Sequence, residues 1–180
     1  MNLDADLYSP RSIPMESAQS FAQKLLPQLG WGKSDSDEVV LDVGCGPGGT
    51  TKNLILPLFS SSSRIFAVDA MPNMIALAKK HNSSPQIEYS VANFEDWSVL
   101  ERWKNQITKL VSILCFHWLK DQQKAFHNVY HLLRKGGEAA FFFALRSTFH
   151  ASVLEMQNSP RWNHLFNAST ISTLLRYLIG

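Results

Sequence analysis

The chain has 180 residues, 45% of them hydrophobic, and its 17 Lys and Arg nearly balance 15 Asp and Glu, for a net charge of +2. No like-charge run suggests a nucleic-acid partner, and two cysteines cannot build a disulfide framework or a four-ligand zinc site. No apolar run reaches signal-peptide or transmembrane length. We expect one α/β domain with no bound metal, no membrane association and a cytoplasmic location.

The first third of the chain predicts a helix, a strand and a second helix. Apolar residues recur at helical spacing over residues 18–29. Residues 39–43 form a short continuous apolar run, typical of a strand buried on both faces. A glycine-rich turn follows at residues 44–49, and residues 50–59 read as the next helix.

Strands and helices are then predicted to alternate from residue 64 to residue 145. Further strands are predicted at residues 64–68, 86–91, 110–115 and 139–145. Further helices are predicted at residues 74–78, 99–103 and 121–133, the last with a glycine stop at Gly136 and Gly137. This alternation indicates right-handed βαβ units, and therefore a doubly wound, mostly parallel Rossmann-like sheet with ligands at its carboxyl edge.

The glycine-rich turn carries the clearest chemical signal, because it lies directly between a strand and a helix. Glycines allow a tight turn and a close approach of a ligand to the backbone. The G-x-G-x-x-G spacing is satisfied by Gly44, Gly46 and Gly49. Asp69 lies 23 residues beyond Gly46, near the roughly 20 of a dinucleotide site. On spacing alone, a nicotinamide dehydrogenase and another nucleotide-cofactor enzyme both remain possible.

The whole segment 41–48, with an acid at the strand end and a proline in the loop, resembles the first motif of class I S-adenosylmethionine-dependent methyltransferases. The resemblance implies that the glycines line the methionine part of S-adenosylmethionine and that Asp42 lies near its ammonium group. It also implies that Asp69 accepts hydrogen bonds from both ribose hydroxyls. Carboxylates suit a cofactor that carries a sulfonium and an ammonium group. The alternative role for Asp69 is to cap the following helix.

The same resemblance extends to the residues after the third strand. Asn93 stands where the family usually has an acid for the adenine amino group, and its amide oxygen can still accept a hydrogen bond. Phe94 packs either on the adenine or in the core. The predicted cofactor site comprises Asp42, Gly44, Cys45, Gly46, Gly48, Asp69, Ala70, Met74, Asn93 and Phe94.

A narrower resemblance begins at residues 110–122, which run off a strand end and carry His117 and Trp118. Together with residues 2–8, 128–137 and 161–162, this segment is similar to arthropod juvenile hormone acid O-methyltransferases. That family methylates the carboxylate of farnesoic or juvenile hormone acid, so the resemblance implies a small isoprenoid acid as substrate. It also implies that Trp118 helps to hold the acid.

Methylation of a carboxylate needs mainly alignment, since the nucleophile is already ionised at neutral pH, with a reference pKa of about 4. His117 and Trp118 are the candidate catalytic residues. A glutamine that the family has near the start is replaced by Met15, and His117 is the candidate for its donor role. The alternative for His117 is a partly buried structural histidine. Met15, Phe21 and Phe116 form a candidate apolar wall for the isoprenoid chain, and ordinary core packing is the alternative for these side chains.

Three regions of one domain are expected. Residues 1–34 form a helical substrate-side segment, residues 39–145 the cofactor-binding core, and residues 146–180 a shortened C-terminal region with helices at 150–157 and 170–178. The family's antiparallel hairpin is expected to be missing, which would leave the fifth strand at a sheet edge. A working carboxyl methyltransferase and a truncated, inactive cofactor-binding homologue both fit these features. The oligomeric state is left open.

Overall fold

A computed structural model describes residues 14–33, 37–143, 152 and 155–165. The chain forms two compact units, Met1–Phe142 and Phe143–Gly180. The strands of the first unit are β1 (Val39–Val43), β2 (Arg64–Asp69), β3 (Ile87–Val91), β4 (Ile107–Ile113) and β5 (Leu133–Phe142).

Helical segments connect these strands. The helix α1 begins with Pro14–Ser20 and continues through a π-helical turn, Phe21–Leu25, into Leu26–Gln28. The segment α2 combines a π-helical turn, Thr51–Ile55, with a 3₁₀ turn, Leu56–Leu58. The remaining helices are α3 (Pro72–His81), α4 (Trp97–Leu100, followed by the 3₁₀ turn Glu101–Trp103) and α5 (Gln122–Leu132).

The five strands form one sheet in the order β3-β2-β1-β4-β5, and every neighbouring pair is parallel. From β1 the chain winds outward through β2 and β3, then returns to β4 on the other side of β1. The predicted doubly wound, Rossmann-like sheet is therefore confirmed. Its topological switch point lies between β1 and β4, so the carboxyl ends of these strands are where a ligand is expected. Among the described strands β5 lies at one edge.

The sheet is covered on both faces, because successive strand residues point to opposite sides. On one face Val40 and Ala67 belong to a buried cluster with residues of α1, α2 and α3. On the other face the Phe66 ring packs on Trp103, with ring centroids 5.4 Å apart. Both Val40 and its neighbour Leu41 are fully buried, which explains the continuous apolar run of β1.

The end of α5 differs from the predicted glycine stop. The helix ends at Leu132, and Leu133 is already extended, with φ −68° and ψ 133°. β5 begins there, and its register with β4 shifts between the pairs Ile107–Leu133 and Lys109–Glu138. Gly136, with φ +78°, lies inside this bulge. The glycine prediction was wrong because a left-handed residue serves a β-bulge as well as a helix end.

The end of β4 also differs from its predicted boundary. The strand stops at Ile113, and Leu114 has a positive φ of 58°. The Leu114 N–H donates to the carbonyl oxygen of Phe142 at 2.6 Å, which closes the carboxyl end of β4 against β5. A 3₁₀ turn, Phe116–Trp118, follows. His117 and Trp118 therefore lie on a turn at the carboxyl edge of the sheet.

In the second unit residues 155–158 are helical, which overlaps the predicted helix 150–157 and extends one residue beyond it. A 3₁₀ turn follows at Asn163–Leu165. The predicted helix 170–178, the end of the predicted strand 139–145 and the family-like segment 2–8 lie outside the described residues. The domain boundaries therefore stay predictions. No helix in the part of the chain that the structure describes is long and apolar enough to cross a membrane.

Candidate functional site

The glycine-rich loop after β1 is tied to β2 through its backbone. The N–H groups of Gly44 and Cys45 both donate to the Val68 carbonyl oxygen, at 2.8 and 3.0 Å. Gly44 has φ +79°, and a Cβ there would overlap the side chain of Cys115. Gly46 also has a positive φ, +53°, but its Cβ position has no atom within 4 Å. The loop therefore packs tightly against Cys115 at Gly44, whereas open space remains beside Gly46.

Two residues far along the chain support the other end of this loop. The Tyr89 hydroxyl lies 3.0 Å from the Asn82 carbonyl oxygen and 3.3 Å from that of Gly48. The Asn82 side-chain amide donates to the Pro47 carbonyl oxygen at 2.8 Å. Gly48 has φ +81°, and a Cβ there would lie 2.6 Å from the Tyr89 hydroxyl. Sequence reasoning missed this support, since nothing local to Asn82 or Tyr89 points to the loop.

Asp42 lies beneath the loop and is only 3% exposed. Its Oδ2 accepts a hydrogen bond from the Thr51 hydroxyl at 2.6 Å. Burial raises the pKa of Asp42 to about 6, the Thr51 hydrogen bond opposes that shift, and the nearby Asp69 charge adds to it. Sequence reasoning missed Thr51, although a hydroxyl nine residues after a buried acid, at the start of the next helix, is a usable signal.

Asp69, at the end of β2, joins the loop to the turn before α3. Its Oδ2 accepts from the Gly46 N–H at 3.0 Å, and its Oδ1 accepts from the Met71 N–H at 2.9 Å. The N-cap of α3 is Met71, so Asp69 does not cap that helix in the usual sense. A carboxylate has about four acceptor positions. Two therefore remain for a ligand beside Gly46.

The other predicted cofactor residues divide by exposure. Ala70 and Asn93 are exposed, whereas Cys45, Met74 and Phe94 are 6%, 3% and 4% exposed, so these three face the core. The Asn93 side-chain oxygen already accepts from the Glu95 N–H at 3.0 Å.

Phe94 belongs to an aromatic cluster, and this packing is what its core alternative predicted. Its ring centroid lies 5.7 Å from that of Phe116, which in turn lies 5.2 Å from Phe126 and 4.6 Å from Phe141. The buried side-chain amide of Asn128 donates to the Phe94 carbonyl oxygen at 2.9 Å. Asn128 thus links α5 to the segment after β3, a role that the sequence did not predict.

His117 and Trp118 lie on the β4 side of the switch point. The Trp118 N–H donates to the Cys115 carbonyl oxygen at 2.8 Å, and the side chain is 51% exposed. The half-buried His117 ring lies 4.9 Å from the Trp118 ring. Because Cys115 directly underlies Gly44, this turn adjoins the glycine loop.

The two cysteines are unsuited to nucleophilic chemistry. Burial raises the pKa of the Cys115 thiol to about 12, and it also raises the pKa of the Cys45 thiol well above its ordinary value. Both thiols therefore stay protonated at neutral pH. In the described part of the chain no group of three or more His, Cys, Asp or Glu side chains is arranged to hold a metal ion.

Phe21 and Phe116 do not lie together in the candidate apolar wall. Phe21 stacks on Phe142, with ring centroids 5.2 Å apart, whereas Phe116 packs on Phe141. Adjacent residues of a strand point to opposite faces, so Phe21 and Phe116 lie on opposite sides of the sheet. The side chain of Met15 lies outside the described residues. An open groove of about 580 Å³ is instead lined by Ser17, Ser20, Phe21, Lys24, Leu25, Gln28 and Phe142.

The strand order and the site at the carboxyl edge define a doubly wound, Rossmann-like fold. A solved structure of the CurJ carbon methyltransferase matches 79% of this chain and 39% of that one, with a TM-score of 0.65 at 17% identity. The family model described as "Methyltransferase domain" matches residues 41–141. The chain therefore belongs to this methyltransferase family, as the sequence motif predicted, and the dehydrogenase alternative is not favoured.

Its relatives include two juvenile hormone acid O-methyltransferases. The Drosophila melanogaster protein is 22% identical over 88% of this chain and 54% of its own length, and the Bombyx mori protein 24% identical over 89% and 57%. The malonyl-[acyl-carrier protein] O-methyltransferase 1 of Ilyobacter polytropus is 29% identical over 74% of this chain and 50% of its own length. The chain thus spans about half the length of the curated relatives that it matches.

Proposed function

We propose that the chain binds S-adenosylmethionine at the glycine loop and transfers its methyl group to the carboxylate of a small molecule, with an isoprenoid acid as the first candidate. One observation carries this proposal. The open backbone of Gly46 lies beside the half-buried carboxylate of Asp69 and follows the buried carboxylate of Asp42. This edge therefore combines space for a ligand with two negative charges.

The charges and donors of the loop fit that cofactor. S-adenosylmethionine carries a sulfonium and an ammonium, and a cation near Asp42 would relieve the repulsion by Asp69 that contributes to its raised pKa. The acceptor positions left on Asp69 suit two ribose hydroxyls. The half-buried Gly46 has no atom within 4 Å of its Cβ position, which leaves room for the ligand against the backbone. When bound, the cofactor supplies an electrophilic methyl group.

The residues that bind the methyl acceptor need to orient its carboxylate, which is the nucleophile, and do not need to activate it. A carboxylate has a pKa of about 4 and is ionised at neutral pH, so no general base is needed. Transfer forms a bond from a carboxylate oxygen to the methyl carbon and breaks the methyl–sulfur bond, yielding an ester and a neutral thioether without proton transfer. The exposed ring of Trp118 offers an apolar surface to the acid, and His117 is the proposed orienting donor.

The names of the relatives support a carboxylate acceptor. Juvenile hormone acid and malonyl-acyl carrier protein, for which three of them are named, both carry a carboxylate. The apolar surfaces at Trp118 and in the groove beside α1 favour the isoprenoid acid of the two. The carboxylate class and the isoprenoid chain are separate parts of the proposal.

A second candidate is an inactive homologue that binds the cofactor only. It is favoured by Asn93, which replaces the family's acid and whose oxygen is already engaged by the Glu95 N–H. The two candidates agree on cofactor binding and differ in methyl transfer.

The test measures binding first and transfer second on the same sample. Titration calorimetry with S-adenosylmethionine and S-adenosylhomocysteine should show saturable binding that Asp69→Asn weakens. Asp37→Asn, an exposed acid before the amino end of β1, is the matched control and should bind normally. Radiolabelled methyl transfer to farnesoic acid, but not to the alcohol farnesol, is then expected. Binding without transfer would favour the inactive homologue, and failure to bind would refute both candidates.

A further inference from the structure

A pair of histidines lies at the end of the sheet opposite the candidate site. His127 and His131 are four residues apart on α5, and their Nε2 atoms are 3.0 Å apart. The His131 carbonyl oxygen accepts from the Asn105 N–H, just before the amino end of β4. Residues at this spacing share one face of a helix. The pair has no part in the proposed methyl transfer.

The separation of the two nitrogens matches chelation of one metal ion. With metal–nitrogen bonds of roughly 2.0–2.1 Å, a separation of 3.0 Å corresponds to an angle of roughly 90–97° at the metal. That angle suits adjacent positions of a square-planar or octahedral ion. A tetrahedral ion such as structural Zn²⁺, with angles of about 109°, would need the nitrogens roughly 3.3 Å apart.

Neighbouring rings fix the orientation of His131. The Trp97 ring packs edge-on against it, with centroids 5.7 Å apart, and the Tyr130 ring does so at 5.4 Å. His131 is half-buried, whereas His127 is exposed, so one imidazole is held by packing and the other faces solvent. Solvent can therefore supply the remaining ligands.

The local charge and the ligand type select among metals. Lys124 lies one turn before His127, and its positive charge opposes cation binding at this face. The site should therefore hold only an ion with high intrinsic affinity for imidazole. Cu²⁺ has the highest affinity of the first-row divalent ions, and imidazole nitrogen suits it.

We propose that His127 and His131 form a surface site for Cu²⁺, with water completing the coordination. Without metal, a hydrogen bond between the two Nε2 atoms requires one proton between them. With both rings neutral, that proton is the only one on the donor ring. When the metal takes both Nε2 lone pairs, the donor ring loses its Nε2 proton to solvent and takes up a proton at Nδ1, so two neutral imidazoles with Nδ1–H remain and no net proton is released. No redox change is involved.

The test adds Cu²⁺ to the purified chain and follows paramagnetic resonance and tryptophan fluorescence. We expect a square-planar Cu²⁺ spectrum with nitrogen hyperfine structure and quenching of Trp97, which Trp97→Phe should remove. His127→Gln should raise the Kd for Cu²⁺ at least about tenfold. His127 is exposed, so its variant is expected to fold normally. The double variant His127→Gln/His131→Gln sets the background from other copper-binding groups.

The control variant is His81→Gln, which removes an exposed histidine at the end of α3. It should leave the Kd unchanged. The proposal is overturned if the unchanged chain binds Cu²⁺ no better than the double variant, or if His81→Gln weakens binding as much as His127→Gln. Neither measurement involves S-adenosylmethionine, so failure here is distinct from failure of the proposed methyl transfer.

Discussion

The two sides of the carboxyl edge are built differently. On the β1 and β2 side, polar contacts hold the glycine loop, with Asp69 on the Gly46 N–H and the Tyr89 hydroxyl near the Gly48 carbonyl oxygen. On the β4 side, the turn 116–118 is held mainly by the packing of the fully buried Phe116 against other aromatic rings. Its outer residue, Trp118, is half exposed.

This difference fits the two proposed roles, which are cofactor binding on the β1 and β2 side and binding of the methyl acceptor on the β4 side. A loop held by directed hydrogen bonds has one geometry, which suits a cofactor of constant structure. A turn supported by an aromatic core can change its exposed residues without unfolding, because surface substitutions away from such features usually cost little. Variation in the acceptor is therefore expected on the β4 side. The following predictions test this contrast, from the largest expected effect to the smallest.

The largest effect is expected at Gly44, beneath the loop. Gly44→Ala adds a left-handed strain of roughly 1–2 kcal/mol and a clash with Cys115 of roughly 1–3 kcal/mol. We expect urea unfolding to show a loss of about 2–5 kcal/mol. Gly46→Ala, in open space, should lose only the strain but should weaken S-adenosylmethionine binding. Equal stability losses in the two variants would contradict the distinction between the closed and open parts of the loop.

The buried Asp42 should make stability depend on pH. Its pKa is raised from 3.8 to about 6, so the folded chain binds this proton more tightly than the unfolded chain. Stability from this group is therefore greatest below about pH 4 and falls as the pH rises to about 6, by roughly 3 kcal/mol in total. Urea unfolding from pH 4 to 7 measures the fall.

Asp42→Asn should remove this contribution, and the difference between the two proteins cancels the other titrating groups. Parallel pH profiles for both proteins would show that Asp42 is not the source. We also expect the variant to bind S-adenosylmethionine more weakly, since the charge that favours its cationic groups is lost.

A smaller effect is expected when the Tyr89 hydroxyl, which supports the glycine loop, is removed. Tyr89→Phe removes the hydroxyl near the Asn82 and Gly48 carbonyl oxygens, at a cost of about 1 kcal/mol in unfolding free energy. Calorimetry should show a several-fold weaker affinity for S-adenosylmethionine. Tyr130→Phe, at a side chain that is 75% exposed, is the control and should change neither quantity. Unchanged cofactor affinity in Tyr89→Phe would mean that the loop does not need this support.

The smallest effect on stability is expected at Trp118. Trp118→Ala should change the unfolding free energy by less than about 0.5 kcal/mol, because the side chain is half exposed. It should raise the KM for farnesoic acid about tenfold while the Kd for S-adenosylmethionine stays constant, and Trp118→Phe should restore part of the loss. A parallel loss of cofactor affinity would show that the two sides of the edge are not independent.

Local signals in the chain predicted the fold and the centre of the candidate site. The strand–glycine–helix motif and the acid at the end of β2 are short, continuous patterns, and both lie where the doubly wound sheet requires. The end of α5 was predicted to within one residue, but the glycine stop was wrong, since Gly136 has the same left-handed backbone in a bulge as it would have after a helix. The roles of Tyr89 and Asn128 were missed because their partners are 41 and 34 residues away.

The sequence by itself therefore determined the order of strands and helices, the glycine-rich loop and the family, because these depend on apolar periodicity and on glycines at fixed spacing. Only the tertiary structure decided which side chains contact one another. It placed Phe21 and Phe116 on opposite faces of the sheet, Thr51 on the carboxylate of Asp42, and Cys115 beneath Gly44. Such contacts join different elements, and their geometry depends on how the whole sheet and its helices pack.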